Sequence, residues 1–158
     1  MIHEISTLDD PLLDLIIDDP VRPHIPSSDR VGKNSRVLVL MDSEQKPQSV
    51  VCVSFLNQIP TTEEQLFDST VDNPHIAALY TIWSISTGGG QQMIREGLDW
   101  IKMKYPQISR IVTLSPPTPT ARRFHLKNGA KELQVNESTD RKSTRLNSSH
   151  IPLSRMPS

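Results

Sequence analysis

Tyr80-Thr81-Ile82-Trp83-Ser84-Ile85-Ser86-Thr87-Gly88-Gly89-Gly90-Gln91-Gln92-Met93-Ile94-Arg95-Glu96-Gly97-Leu98 is the stretch that decides the fold. Its first part closes a strand-like run, Ile76 to Ser86, carrying Tyr80, Ile82, Trp83 and Ile85. Three glycines follow. Beyond them Met93, Ile94, Gly97, Leu98 and Ile101 recur at helical spacing on one face. Gln92, Arg95, Glu96, Asp99 and Lys102 lie away from that face, and Pro106 ends the helix.

Downstream, Ile108 to Leu114 reads as the next strand. Thr118 to Thr120 leads into a helix over 121–128, with Gly129 placed for a left-handed C-terminal cap, and Lys131 to Val135 starts another strand. Upstream, Arg36 to Met41 and Ser49 to Leu56 form an antiparallel hairpin around a polar connection. Asp10-Pro11 opens a short helix, Asp as cap and Pro at the first helical position. Leu12, Leu13, Leu15, Ile16 and Ile17 give that helix an apolar face. The proline-bearing stretch 20–35 reads as loop, and Thr61 with Glu64 resembles a capping box for a short helix reaching Phe67. The layout is α/β (α+β) with one mixed sheet.

A chain of 158 residues suits one domain. With 17 basic and 18 acidic residues it lacks the basic excess of a nucleic-acid binder. No apolar run approaches the roughly 20 residues that cross a bilayer, and Met1-Ile2-His3-Glu4-Ile5 does not begin a signal peptide. Cys52 is the single cysteine, so no internal disulfide forms; mid-strand, it reads as core. A cytoplasmic protein with neither membrane nor nucleic-acid partner is expected; the oligomeric state is not legible.

The end of the chain stands apart. Asp140-Arg141-Lys142-Ser143-Thr144-Arg145-Leu146-Asn147-Ser148-Ser149-His150 has neither helical nor strand period. Together with Ser154-Arg155-Met156-Pro157-Ser158 it resembles a translated sequencing adapter. The expectation is therefore a 1–35 segment of helix and proline-rich loop, a domain over 36–139 truncated at its C-terminal end, and a disordered non-native tail over 140–158. Without the tail the net charge is −4 rather than −1.

Chemistry is expected in two places. The turn Ser86-Thr87-Gly88-Gly89-Gly90-Gln91 precedes a helix whose free N–H groups and positive dipole end suit an anion such as a pyrophosphate. The same glycines also suit a plain turn. Ser115 lies at the C-terminal end of a strand, where α/β sheets open onto ligands. On the following helix Ala121, Phe124, His125 and Asn128 share one face, so His125 sits beside an aromatic on the sheet side. A partly buried imidazole there serves as acid or base. On spacing alone a packed, hydrogen-bonded histidine is the simpler reading. His3, His24 and His75 have no metal-ligand spacing, and no metal is expected.

Read together, Tyr80 to Ser86, the glycine turn, Val112-Thr113-Leu114-Ser115-Pro116 and Ala121-Arg122-Arg123-Phe124-His125-Leu126-Lys127-Asn128-Gly129-Ala130 resemble the catalytic domain of malonyl-CoA decarboxylase. That domain has the superfold of the Gcn5-related N-acetyltransferases (GNAT), a mainly antiparallel mixed sheet flanked by helices. The resemblance runs from about Arg36 to Val135. It implies an enzyme whose glycine turn, Ser86 to Gln91, binds the pyrophosphate of coenzyme A, and whose catalytic pair is Ser115 and His125. Decarboxylation of a malonyl thioester leaves an enolate that must be stabilised and protonated. His125 is expected to donate that proton, and Ser115 to hold the departing carboxylate or the thioester. The chain departs from the family on the strand Val50 to Phe55, where an acidic residue is expected and Cys52 or Val53 stands. The rival expectations are an N-acyltransferase using acetyl-CoA and a non-catalytic CoA-binding module.

Overall fold

A computed structural model describes residues 1–68, 70–115, 131–134 and 147–151. Among the described residues seven strands form one sheet: β1 (Ile2–Ile5), β2 (Ser35–Met41), β3 (Pro47–Leu56), β4 (Ile76–Ser84), β5 (Arg110–Ser115), β6 (Lys131–Gln134) and β7 (Asn147–Ile151). Their order is β1-β2-β3-β4-β5-β7-β6. Every neighbouring pair is antiparallel except β4 and β5. A parallel pair requires a crossover connection, and α2 (Gly89–Lys104) supplies it. The other described helices are short: 3-10 turns at Pro11–Asp18 and Glu63–Phe67, and α1 (Ser27–Arg30).

The strand alternation sorts side chains onto two faces. On one, Met93, Ile94, Leu98 and Ile101 of α2 pack against Leu38, Leu40, Val51, Val53, Ala77, Leu79 and Ile111. These are the helix positions whose spacing predicts burial. On the other face Leu13, Ile16, Ile25, Val31 and Leu66 cover Val37, Val39, Val50, Cys52, Ala78, Tyr80, Val112 and Leu114.

The differences from the sequence reading are local. Ile2–Ile5 is a strand, so the first 35 residues contribute to the sheet as well as covering it. The segment opened by Asp10-Pro11 is a 3-10 helix, with the Asp10 carboxylate accepting from the Leu12 amide at 2.9 Å. The expected capping box does not form: Thr62 is the cap residue, and the Thr61 amide donates to Gln65 Oε1 at 2.8 Å instead of meeting Glu64. Asn147–Ile151, in the stretch read as a disordered tail, forms a strand between β5 and β6. Among the described residues no helix is long and apolar enough to cross a membrane.

Candidate active site

The glycine turn and Ser115 lie at one end of the parallel pair. The β4–β5 ladder runs from Ile76↔Arg110 to Leu79↔Thr113 and stops. β4 continues to Ser84, still paired with β3 through Ser49↔Ser84. β5 continues to Ser115, where its partner is β7 through Ser115↔Asn147. The two strands therefore diverge at their C-terminal ends, the side on which open α/β sheets take ligands. The backbone of Ser115 marks the β5 rim of this cleft. The glycine turn follows the β4 rim. His125 and the helix expected over 121–128 lie outside the described residues.

The turn is built by Gln48 at the start of β3. Its carbonyl accepts from the amides of Ile85 at 2.8 Å and Ser86 at 3.1 Å, and its side-chain oxygen accepts from Ser86 Oγ at 2.5 Å. Two glycines are then needed for different reasons. Gly88 has φ +79°, a left-handed conformation that glycine adopts without strain, and its Cβ position faces open space. Gly89 is pressed against β3: a Cβ there would lie 2.3 Å from the Gln48 carbonyl oxygen. The close approach that glycine permits at 89 is thus to the protein's own backbone. At the helix start the Gly90 amide donates to Ser84 Oγ at 2.6 Å and the Gln92 amide to the Gly88 carbonyl at 3.1 Å. The Gln91 amide has no partner among the described residues. No acidic side chain occupies the first turn of α2, while Lys102 and Lys104 complement the dipole in the last. Thr87, Gly88 and Gln91 are exposed, Ser86 is half-buried, and Gly89 and Gly90 are buried. An exposed, positively poised turn of this kind suits an anion.

Beside the cleft lies a polar cluster that the sequence reading missed. The β3–β4 register runs Val53↔Leu79 and then Cys52↔Thr81, which leaves Tyr80 as the extra residue of a bulge. The bulge turns Tyr80 and Thr81 toward the same face: Tyr80 packs with Cys52 in the core, and Thr81 Oγ1 donates to Asp19 Oδ1 at 3.0 Å. Asp19 is 3% exposed and Arg30 0%, and Arg30 Nη1 meets Asp19 Oδ2 at 2.8 Å. Arg30 also donates to the carbonyls of Ile25 and Arg22 at 2.9 and 2.7 Å. Asp19 accepts from the amides of Val21 and Arg22 at 2.7 and 2.9 Å. Arg22, itself buried, donates from Nε to the Tyr80 carbonyl at 2.8 Å and pairs with Glu63 at 3.2 Å. Burial pushes the Cys52 thiol up to about 11, against the pull of Arg30. Burial likewise raises the Tyr80 phenol well above its ordinary range. The strand Val50 to Phe55 carries no acid, yet Asp19 brings a carboxylate to the neighbourhood of Cys52 from outside the sheet. The available signal was Val21, Ile25 and Val31, apolar residues in a proline-bearing stretch read as loop.

Two of the other histidines make ordinary contacts: His3 meets Asp10 and His24 meets Glu63, each at 2.8 Å. Among the described residues no group of three or more His, Cys, Asp or Glu is placed to hold a metal ion.

No protein-family model matches the chain, and no curated protein does. Solved structures do. Malonyl-CoA decarboxylase from Cupriavidus metallidurans superposes with a TM-score of 0.75 at 15% identity, over 99% of this chain and 62% of the other. The Rhodopseudomonas palustris malonyl-CoA decarboxylase gives 0.75 at 16%, over 99% and 60%. A Bacillus subtilis acetyltransferase in complex with CoA gives 0.60 at 11%, over 95% and 96%. The chain thus spans about three fifths of the length of these two decarboxylases. At these identities the likeness is one of fold: the chain has the fold shared by malonyl-CoA decarboxylases and GNAT acetyltransferases.

Proposed function

We propose that the chain is an acyl-CoA enzyme that converts a malonyl-type thioester to acetyl-CoA and carbon dioxide. The observation that carries this is the juxtaposition of the Ser86–Gln91 turn with the β4–β5 cleft, on a chain that superposes over 99% of its length on malonyl-CoA decarboxylase. The turn would take the pyrophosphate of CoA through backbone N–H groups. The cleft would admit the thioester between β4 and β5, with Ser115 at its rim.

In the reaction the bond between the α-carbon and the carboxylate breaks, carbon dioxide leaves, and the electron pair passes to the thioester as an enolate. His125, as the imidazolium, gives its proton to the α-carbon and recovers one from solvent. The Ser115 hydroxyl holds the departing carboxylate or donates to the thioester oxygen, so that developing charge meets a positioned donor. The test is direct. Purified chain supplied with malonyl-CoA alone is expected to release acetyl-CoA and carbon dioxide, and His125→Ala to lower kcat by about 10²–10⁴-fold. No acetyl-CoA from the unaltered chain, or full activity in His125→Ala, overturns the reading.

A second reading, an N-acyltransferase using acetyl-CoA, is favoured by the superposition on the Bacillus acetyltransferase over nearly the whole of both chains. It requires an amine acceptor, so consumption of malonyl-CoA without one separates the two. Binding of CoA without turnover of either thioester would leave the third reading, a CoA-binding module.

A further inference from the structure

The point at which β4 leaves β5 poses a problem of hydrogen bonding. Tyr80 is the first residue of β4 beyond the parallel ladder, and the bulge also deprives it of a partner on β3. A buried carbonyl without a donor is costly, and the cheapest remedy for a strand in this position is to re-pair with its neighbour. Here the donor comes from outside the sheet: Arg22 Nε reaches the Tyr80 carbonyl across 58 positions of sequence. Arg22 is in turn gripped through its backbone. Asp19 accepts from its amide, Arg30 donates to its carbonyl, and Thr81, the next residue of β4, ties Asp19 to the same strand. Glu63 balances the charge of its guanidinium.

We propose that Arg22 is a positioning residue for the cleft: it takes the carbonyl that β4 surrenders at Tyr80 and so holds the two strands apart. This rests on the reading of the cleft as the acyl-CoA site. Arg22 acts through the strand, fixing the direction in which Thr81 to Ser84 part from β5 and carry the glycine turn.

The test compares Arg22→Met and Arg22→Lys with the unaltered chain, by calorimetric titration with free CoA and by amide hydrogen exchange. Arg22→Met is expected to weaken CoA binding about tenfold, the scale of one hydrogen bond from a charged donor. Exchange is expected to quicken over Tyr80 to Ser84 while the amides of β1 and β2, which do not pair with β4, keep their protection. Arg22→Lys keeps a charged donor on a flexible stem and should recover part of both effects. Unchanged CoA affinity in Arg22→Met, or exchange quickened evenly across the sheet, overturns the proposal. Should Arg22→Met fail to fold, Thr81→Val, which removes only the hydroxyl on Asp19, carries the same two readouts: localised exchange supports the proposal and unaltered exchange sinks it. If the unaltered chain binds no CoA, the acyl-CoA reading fails, and the exchange pattern still decides whether Arg22 fixes β4.

Discussion

Cys52 shows what burial does to one side chain. It is fully covered, and Arg30 Nη1 lies 3.5 Å from its sulfur. Its thiol rises from 9.0 to about 11 because burial penalises the thiolate. The folded chain therefore holds this proton more tightly than the unfolded one. The stability this contributes is whole below pH 9 and drains away as pH rises toward 11. Urea denaturation should show stability falling across that window, about 2–3 kcal/mol of it through Cys52, and Cys52→Ala should lessen the fall. A thiol reagent at pH 7 should label Cys52 only once the chain unfolds; prompt labelling of the native chain would contradict the burial.

At the scale of elements, the glycine turn and α2 make a sharper prediction, because adjacent glycines differ in what they do. Gly89→Ala puts a methyl group 2.3 Å from the Gln48 carbonyl oxygen, so either β3 or the start of α2 must move. Gly88→Ala meets no atom but forces an L-residue to φ +79°, at a cost of about 1–2 kcal/mol. Thermal melts should rank Gly89→Ala as the more damaging, and CoA titration should find its affinity the more reduced; the reverse order would mean that the turn is held by conformation rather than by contact. The apolar stripe of α2 was legible because Met93, Ile94, Leu98 and Ile101 repeat at helical period and each is buried. Glycine's role at 89 was not, because what it makes room for is the backbone of Gln48, 41 positions earlier, whose place depends on the completed β3–β4 ladder. Nor was the bulge at Tyr80, since a register shift belongs to two strands at once. Asp19, Arg22 and Arg30 were hidden for the opposite reason: prolines around them spoke for loop, while Asp19 and Arg22 find their partners on β4, 62 and 58 positions further along the chain.

Across the whole molecule, the order of strands matters more than their number. β7 lies between β5 and β6, so the sheet reaches β6 only through Asn147–Ile151. Removing residues 140–158 should expose the edge of β5, lower the midpoint of urea denaturation and promote self-association. An unaltered midpoint and a monodisperse profile on size-exclusion chromatography would show that the sheet does not depend on β7. The sequence could not announce this strand, since Asn147, Ser148 and Ser149 offer no apolar alternation. The mixed sheet, its hairpin and its crossover helix were legible, because each rests on a pattern within a few residues. Ser115 was legible as a strand end for the same reason, and the fold adds that the glycine turn opens at the same end of the sheet.

The buried pair of Asp19 and Arg30 bears on the history of the chain as well as on its structure. Losing either partner alone strands a charge in the core, at a cost of about 3–5 kcal/mol, whereas exchanging both for apolar residues of like volume is often neutral. Drift at these positions is therefore barred one step at a time and open only in paired steps. Descendants of this sequence should keep the two together or lose them together, and a lineage that has shed the pair should hold the backbone of Arg22 by other contacts.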